Sequence, residues 1–184
     1  MVTEKSMFLR MMRRLEESDR LDPAVRAAEP VAGKLVASPG LRRFFHGDAT
    51  GIPPHGVATD VPFGAWFMAI FLDLFPDVGT RRAATRLVAL GVVAAAPTGI
   101  SGWAEWARAD RATRRVGVVH AAANLTATLI FLASWAARTR DRHRLGVNLA
   151  RLGGALLIIG GLPGRVHAQP APPLSPTSSQ LRPF

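Results

Sequence analysis

The sequence predicts an all-α integral membrane protein built on a four-helix bundle, and three observations lead to this fold class. Four long apolar segments are separated by clusters of arginine, and a chain of 184 residues is too short to cover four buried helices with further protein. Each segment has about the 17–25 residues that a helix needs to cross a hydrocarbon core. The chain also has no cysteine, which excludes a disulfide scaffold, a thiol nucleophile and an iron–sulfur cluster held by this chain.

Basic residues give the chain an unusual charge. There are 23 lysines and arginines against 13 acidic residues, for a net charge of +10. Such a charge is typical of proteins that bind nucleic acid or an anionic membrane surface. Because the arginines cluster at the borders of the apolar segments, we assign the lipid bilayer as the partner and exclude nucleic acid.

The predicted membrane domain covers residues 46–164. Glycine and proline within its apolar segments are tolerated in membrane helices. The tryptophans Trp66, Trp103, Trp106 and Trp135 fall near predicted span ends, as in an aromatic belt at the membrane interface. The four spans are predicted at residues 61–78, 87–103, 116–137 and 145–162.

The two ends of the chain are polar. Residues 1–45 are predicted to form a basic helical arm, because Met7–Leu15 is basic and amphipathic and Asp22–Pro23 is typical of an N-cap followed by proline. This amphipathic arm either lies on an anionic membrane surface or is solvated and partly ordered. Residues 165–184 are rich in proline and serine and are predicted to be disordered.

Four spans would place both termini on the same side of the membrane. Near the membrane the arginines divide evenly between the two sides, so the positive-inside rule does not decide the orientation. The further basic residues of the arm favour cytoplasmic termini.

Charged residues inside the spans are the first candidates for a role, because a buried charge in lipid is costly. Asp73 lies near the end of the first span and Arg151 near the start of the fourth, on the same side of the membrane. Their similar depths predict an interhelical ion pair. The alternative is a part in transport or proton relay.

A second set of polar residues is predicted to converge near the opposite membrane face. His120 and Asn124 lie one helical turn apart in the third span, His55 precedes the first span, and Asp60 is predicted to cap it. Three interpretations remain open for these residues. They are a hydrogen-bond network that fixes helix packing, a haem b or metal site with His120 and His55 as ligands, and a site for proton transfer or a small ligand.

Three passages of the chain share their order and spacing with one known family. They are similar to G-H-P-L-H-P-A-L-T-D-[LV]-P-I-G followed by D-L, to T-G-L-A-D-W, and to R-V-G-L-V-H-A-x-x-N. On these motifs the chain resembles the bacterial membrane proteins grouped as domain of unknown function 2231. The matching passages are His46–Gly47 followed by Pro53–Trp66 and Leu72–Leu74, then Thr98–Trp103, and then Arg115–Ala121 with Asn124.

The resemblance implies four membrane helices in the inner membrane of a bacterium. Leu15–Pro23 looks like a particular subgroup in which a Rieske-type iron–sulfur domain follows the membrane domain, which implies an electron-transfer context. Because this chain has no cysteine, the cluster would belong to a partner protein.

The chain also departs from the family pattern. Ile52 stands where the pattern has its first histidine, Gly56 where it has its second proline, and Gly102 where it has an aspartate. These departures argue against a polyhistidine cofactor site. We interpret the C-terminal tail as a divergent or frame-shifted family end.

The sequence therefore predicts a non-catalytic membrane module or anchor associated with an iron–sulfur electron-transfer partner. The competing hypothesis is a haem-binding membrane electron carrier, with His120 as the first candidate ligand. A small-solute or proton transporter is the third, and four spans would have to form a homo-oligomer to enclose a pathway.

Overall fold

A computed structural model describes residues 2–48, 51–52, 54–75 and 77–161 of the chain. These residues form helices and no strand, which confirms the predicted all-α fold class. The tail predicted to be disordered, residues 165–184, lies outside the described residues. Within them, seven α-helices follow one another: α1 Val2–Glu16, α2 Asp22–Leu35, α3 Pro39–His46, α4 Pro54–Leu72, α5 Val78–Trp106, α6 Arg111–Arg138 and α7 His143–Gly161.

The last four helices pack as two hairpins. α4 lies along α5 and α6 along α7, and contacts of α5 with α6 and of α4 with α7 join the hairpins. The short connections make neighbouring helices antiparallel. The starts of α4 and α6 and the ends of α5 and α7 therefore lie together, at what we call the arm end, and the opposite end is the turn end.

Three of the described helices are long and apolar enough to cross a membrane, namely α4, α5 and α6. The fourth predicted span corresponds to α7, which carries Arg144 and Arg151 and does not belong to this group. The structure thus supports a membrane protein with three candidate spans.

The helices begin earlier than the apolar segments that predicted them. α4 begins at Pro54 rather than near residue 61, so Asp60 lies inside the helix and the prediction that it is an N-cap is wrong. α5 begins at Val78 because the Asp77 carboxylate accepts a hydrogen bond of 2.9 Å from the Thr80 amide. A capped helix continues through charged residues beyond the membrane border, whereas hydropathy detects only its apolar part.

The core of the bundle is built around Trp66. Its indole stacks on Phe131 with ring centroids 4.3 Å apart, and its ring NH donates to the Val88 carbonyl. Gly91 makes room for the indole, since a Cβ at this position would lie 2.3 Å from Trp66 Nε1. Trp66 is 2% exposed, so its predicted place in an interfacial aromatic belt is wrong.

The arm, which comprises α1 to α3, packs against the arm end of the bundle. Contacts join α1 to α6, α2 to both α5 and α6, and α3 to α5. Val25 and Ala32 of α2 form a small apolar cluster with Trp106 and Val118. All three helices of the arm therefore contact the bundle.

Candidate functional site

Acidic residues of the arm hold three arginines at the start of α6. Arg115 donates from Nε to Asp22 Oδ1 at 2.8 Å, and it also pairs with Asp19. We call this set of ion pairs the arm clamp. Its pairs are Arg115 with Asp22 and Asp19, Arg111 with Asp22, and Arg114 with Glu29.

Arg115 is the centre of the arm clamp. Its side chain is 9% exposed, and it donates a further hydrogen bond of 2.9 Å to the backbone carbonyl of Glu16. Asp22 accepts from both Arg115 and Arg111, so its carboxylate does not cap α2, and the prediction that Asp22 is an N-cap is wrong. A buried guanidinium needs such partners because desolvation of an unpaired charge is costly.

The arm clamp depends on the ionised form of Asp22. Hydrogen bonds from Arg115 and then Arg111 hold the pKa of the Asp22 carboxyl well below its ordinary value of 3.8. Because docking lowers this pKa, the ionised Asp22 carboxylate stabilises the docked arm at any pH above the ordinary carboxyl pKa of 3.8. This stabilisation is lost progressively as the pH falls below that value.

We therefore expect the arm to stay docked from about pH 8 to about pH 5 and to undock progressively below about pH 4. The cysteine-free chain permits a clean measurement with spin labels at two introduced cysteines, Ala27→Cys on α2 and Arg108→Cys in the α5–α6 loop. The distance between the labels should broaden only in acid. Broadening between pH 8 and pH 5 would show that another group controls docking.

A polar patch joins α4 to α5 near the arm end. Pro62 lacks an NH group, so the carbonyl of Ala58 loses its usual helical partner. The Thr98 hydroxyl of α5 lies 2.9 Å from this Ala58 carbonyl and 2.9 Å from the Ala94 carbonyl of its own helix, so its single proton is shared between the two acceptors. A neighbouring helix thus satisfies the carbonyl that the proline frees, as is typical of membrane helices.

His55 belongs to the same group of polar side chains, which we call the His55 patch. Its Nδ1 lies 3.1 Å from the Thr98 carbonyl, to which it donates, and Ser101 also donates to that carbonyl at 2.8 Å. Gly102 allows this approach, because a Cβ there would lie 2.9 Å from the His55 ring. A side chain at position 102, such as the aspartate of the family pattern, would therefore require the His55 ring to shift.

The other predicted cluster residues lie on α6 and on the surface of α4. The Asn124 amide donates to His120 Nε2 at 2.8 Å and to the His120 carbonyl at 3.1 Å. Asp60 is exposed on α4. The structure thus brings His120 and Asn124 together, and the convergence of all four residues stays a prediction.

The donor set for a metal or haem can be tested on these side chains. Among the described residues, no group of three or more histidine, aspartate or glutamate side chains could hold a metal ion. The Nε2 atom of His120, an atom through which imidazole commonly binds haem iron, is engaged by Asn124. The hydrogen bond from Nδ1 of His55 leaves the Nε2 lone pair of that ring free for a ligand.

At the turn end, Asp73 forms a fully buried ion pair, but its partner is Arg138. The two guanidinium NH₂ groups lie 2.8 and 2.5 Å from the carboxylate oxygens, and both side chains are 0% exposed. Arg151 is exposed on α7. The predicted Asp73–Arg151 pair is therefore wrong, because α6 continues to Arg138 and carries that arginine to the carboxylate.

Arg138 also connects α6 to α7. Its Nε donates to Ser134 Oγ at 3.2 Å, and the Ser134 hydroxyl donates to the Gly146 carbonyl at 2.6 Å. Gly146 has no side chain to obstruct Arg138, whose Cγ would lie 2.5 Å from a Cβ there. One ionic network thus fixes α4, α6 and α7 at the turn end.

The comparison with protein families decides which proteins the chain is related to. The model of the family described as "Predicted membrane protein (DUF2231)" matches residues 51–165, more than half of the chain. The chain belongs to this family. The DUF2231 match covers α4 to α7, so it includes the His55 patch, the His120–Asn124 pair and the Asp73–Arg138 pair. No curated protein and no solved structure matches the chain.

Sequence reasoning missed the partners of two arginines. The third span predicted from hydropathy ends at residue 137 and so leaves out Arg138, whereas the helix continues to that residue. Arg115 was noted only as part of the third motif. The acidic residues of Leu15–Pro23 carried the signal for its partners, since Asp19 and Asp22 lie in that segment.

Proposed function

We propose that this DUF2231 protein is a non-catalytic membrane module that anchors an electron-transfer partner at its arm end. The observation that carries the proposal is the arm clamp. Through it, about 45 residues outside the family match are joined to the membrane domain, with the buried Arg115–Asp22 pair at the centre and more exposed pairs around it. A rigid extramembrane arm suits a docking platform better than a mobile leader would.

The polar groups of the membrane helices support a structural role. The Thr98 hydroxyl lies at hydrogen-bonding distance from the Ala58 carbonyl, which Pro62 leaves without its helical partner. The Asp73 carboxylate forms an ion pair with Arg138. Hydrogen bonds of this kind between membrane helices each contribute about 0.6–2 kcal/mol to their association. These groups thus hold the bundle together.

We propose four spans in the inner membrane of a bacterium, with the arm on the cytoplasmic side. Exposed Leu152, Ile158 and Ile159 give α7 an apolar surface that suits contact with lipid. α7 also packs along α6 and α4, two of the candidate spans. The positive charge of the arm favours the cytoplasmic side.

The redox nature of the partner rests on the likeness of Leu15–Pro23 to the Rieske-joined subgroup. This segment provides Asp19 and Asp22 of the arm clamp, so its residues also have a structural reason to be present. The chain has no cysteine. Any iron–sulfur cluster would therefore reside in the partner.

One purification tests the proposal against its main alternative. The full chain is extracted from native membranes in detergent, and its visible spectrum and the electron paramagnetic resonance of the reduced sample are recorded. We expect a polypeptide without haem absorption that copurifies with an iron–sulfur protein. A Soret band that disappears in His55→Ala or His120→Ala would instead establish the haem carrier.

The arm clamp should be needed for this copurification. Asp22→Asn keeps the shape of the side chain but removes the charge that Arg115 and Arg111 share. The loss of charge-assisted hydrogen bonds should destabilise arm docking. The Ala27→Cys and Arg108→Cys labels should then show a broadened distance, and the amount of copurified partner should fall.

Glu17→Gln provides the matched control, because Glu17 is an exposed acidic residue of the same arm outside the arm clamp. It should leave the label distance and the copurification unchanged. Normal partner recovery with an undocked Asp22→Asn arm would contradict the role of the arm as the docking platform.

A further inference from the structure

A cavity at the turn end collects cationic side chains that the proposed function does not use. It has a volume of about 300 Å³ and lies between the α4–α5 turn, the start of α5 and the first turns of α7. We call it the basic pocket. Its charged and polar lining consists of Arg81, His143, Arg144, Asn148, Arg151 and Asp73.

The one acidic residue of the basic pocket does not neutralise the arginines around it. Both carboxylate oxygens of Asp73 are bonded to Arg138. In the part of the chain that the structure describes, Arg81, Arg144 and Arg151 form no ion pair. The basic pocket therefore has an excess of positive charge and favours an anion.

The arrangement of the arginines follows from helix geometry. Arg144, Asn148 and Arg151 are spaced four and three residues apart, so they lie along one face of α7. Arg81 lies in the first turn of α5, across the basic pocket from that face. Guanidinium groups on two helices can bind the oxygens of one phosphate from two directions.

The level of the basic pocket relative to the membrane indicates which kind of anion would reach it. α4 ends and α5 begins beside it, so it lies where the candidate spans leave the membrane. The phosphates of lipid headgroups occupy this level of a bilayer, just outside the hydrocarbon core.

Exposed apolar side chains lie in the lining of the basic pocket and next to its arginines in the sequence of α7. Phe75 lines it and is 47% exposed, and Leu145 and Leu152 of α7 are 47% and 56% exposed. Acyl chains would contact these side chains while the headgroup occupies the cavity. A free inorganic phosphate would leave them uncovered.

We propose that the basic pocket binds the phosphate of an anionic phospholipid headgroup, with Arg81, Arg144 and Arg151 as its ligands. Asn148 adds a hydrogen-bond donor for a headgroup hydroxyl. The site is separate from the arm clamp, which lies at the other end of the bundle.

The test measures lipid binding to the full chain in neutral detergent by native mass spectrometry, with phosphatidylglycerol and phosphatidylcholine as probes. The wild type should bind phosphatidylglycerol preferentially. The triple variant Arg81→Gln, Arg144→Gln, Arg151→Gln should bind it at least about tenfold more weakly. The matched control, Arg82→Gln, Arg86→Gln, Arg142→Gln, removes three exposed arginines near the same end but outside the basic pocket.

Three results would overturn the proposal. Equal losses in the two triple variants would mean that surface charge alone attracts the lipid. Equal binding of phosphatidylcholine and phosphatidylglycerol by the wild type would exclude recognition of anionic headgroups. Displacement of the lipid by micromolar inorganic phosphate would identify free phosphate as the ligand.

A single substitution keeps the test decisive if the triple variant does not fold. Arg151 is exposed on the surface of α7, so Arg151→Gln should leave the fold intact. It should weaken phosphatidylglycerol binding severalfold, whereas Arg142→Gln should not. Unchanged binding in a folded Arg151→Gln protein would count against the site.

Discussion

Asp73→Ala is expected to lower the free energy of unfolding by about 3–5 kcal/mol, the cost of leaving one member of a buried ion pair without its partner. The Arg138 guanidinium would keep Ser134 as a neighbour, but it would lose both carboxylate oxygens in a place where its side chain is 0% exposed. The midpoint of thermal unfolding in detergent, followed by circular dichroism, measures the effect.

Two further variants separate the ion pair from a general effect of the substitution. Asp60→Ala removes an exposed carboxylate from the same helix and should change stability by less than about 0.5 kcal/mol. The double variant Asp73→Leu, Arg138→Met removes both charges and should recover much of the loss. An Asp73→Ala protein as stable as the wild type would show that the pair is not buried in the membrane-embedded protein.

Trp66→Ala should lower the free energy of unfolding by a similar amount, about 3–5 kcal/mol. The substitution removes the ring that stacks on Phe131 and leaves a cavity between α4, α5 and α6. Membrane helices gain little from hydrophobicity when they associate, so their packing contacts carry much of the stability. The same thermal unfolding experiment measures this loss.

Trp135→Ala is the control, because Trp135 is 38% exposed near the end of α6 and should tolerate truncation. Gly91→Ala approaches the same contact from the other side, since the new Cβ would meet the Trp66 ring. Overpacking of this kind typically costs about 1–3 kcal/mol. Equal effects of Trp66→Ala and Trp135→Ala would contradict the central place of the Trp66–Phe131 stack.

Hydropathy and composition predict the part of this fold that depends on local sequence. The all-α class and the membrane spans at α4, α5 and α6 follow from apolar runs of sufficient length. Helix boundaries follow less well, because the cap at Asp77 and the proline at Pro54 start their helices at positions that hydropathy does not mark. The sequence therefore predicts that the protein has membrane spans, but it does not predict the exact ends of the helices.

The partners of charged residues were harder to predict, because depth along a helix does not give its rotation. Asp73 and Arg151 have similar depths and line the same cavity, yet the carboxylate binds Arg138 and Arg151 remains exposed. Successive residues point in directions about 100° apart around a helix axis. A small rotation of one helix therefore changes which of its side chains meet the neighbouring helices. Only packing of the whole bundle decides such a pair.

The arm illustrates the same limit over a larger separation. Its basic, amphipathic composition suggested a membrane surface or solvent, but Asp19 and Asp22 bind Arg115 on α6. The net charge of the arm does not indicate which of its acidic residues lie close to which arginines of α6. The contact became visible only when the helices were placed together.

The separation of Asp22 and Arg115 in the sequence has a consequence for how the protein is made. The two residues are 93 positions apart, so the arm leaves the ribosome long before its arginine partners exist. It can dock only after α4 and α5 have been synthesised and α6 has begun. Until α6 is in place the acidic residues of the arm lack their arginine partners, so docking of the arm is a late step in the assembly of the protein.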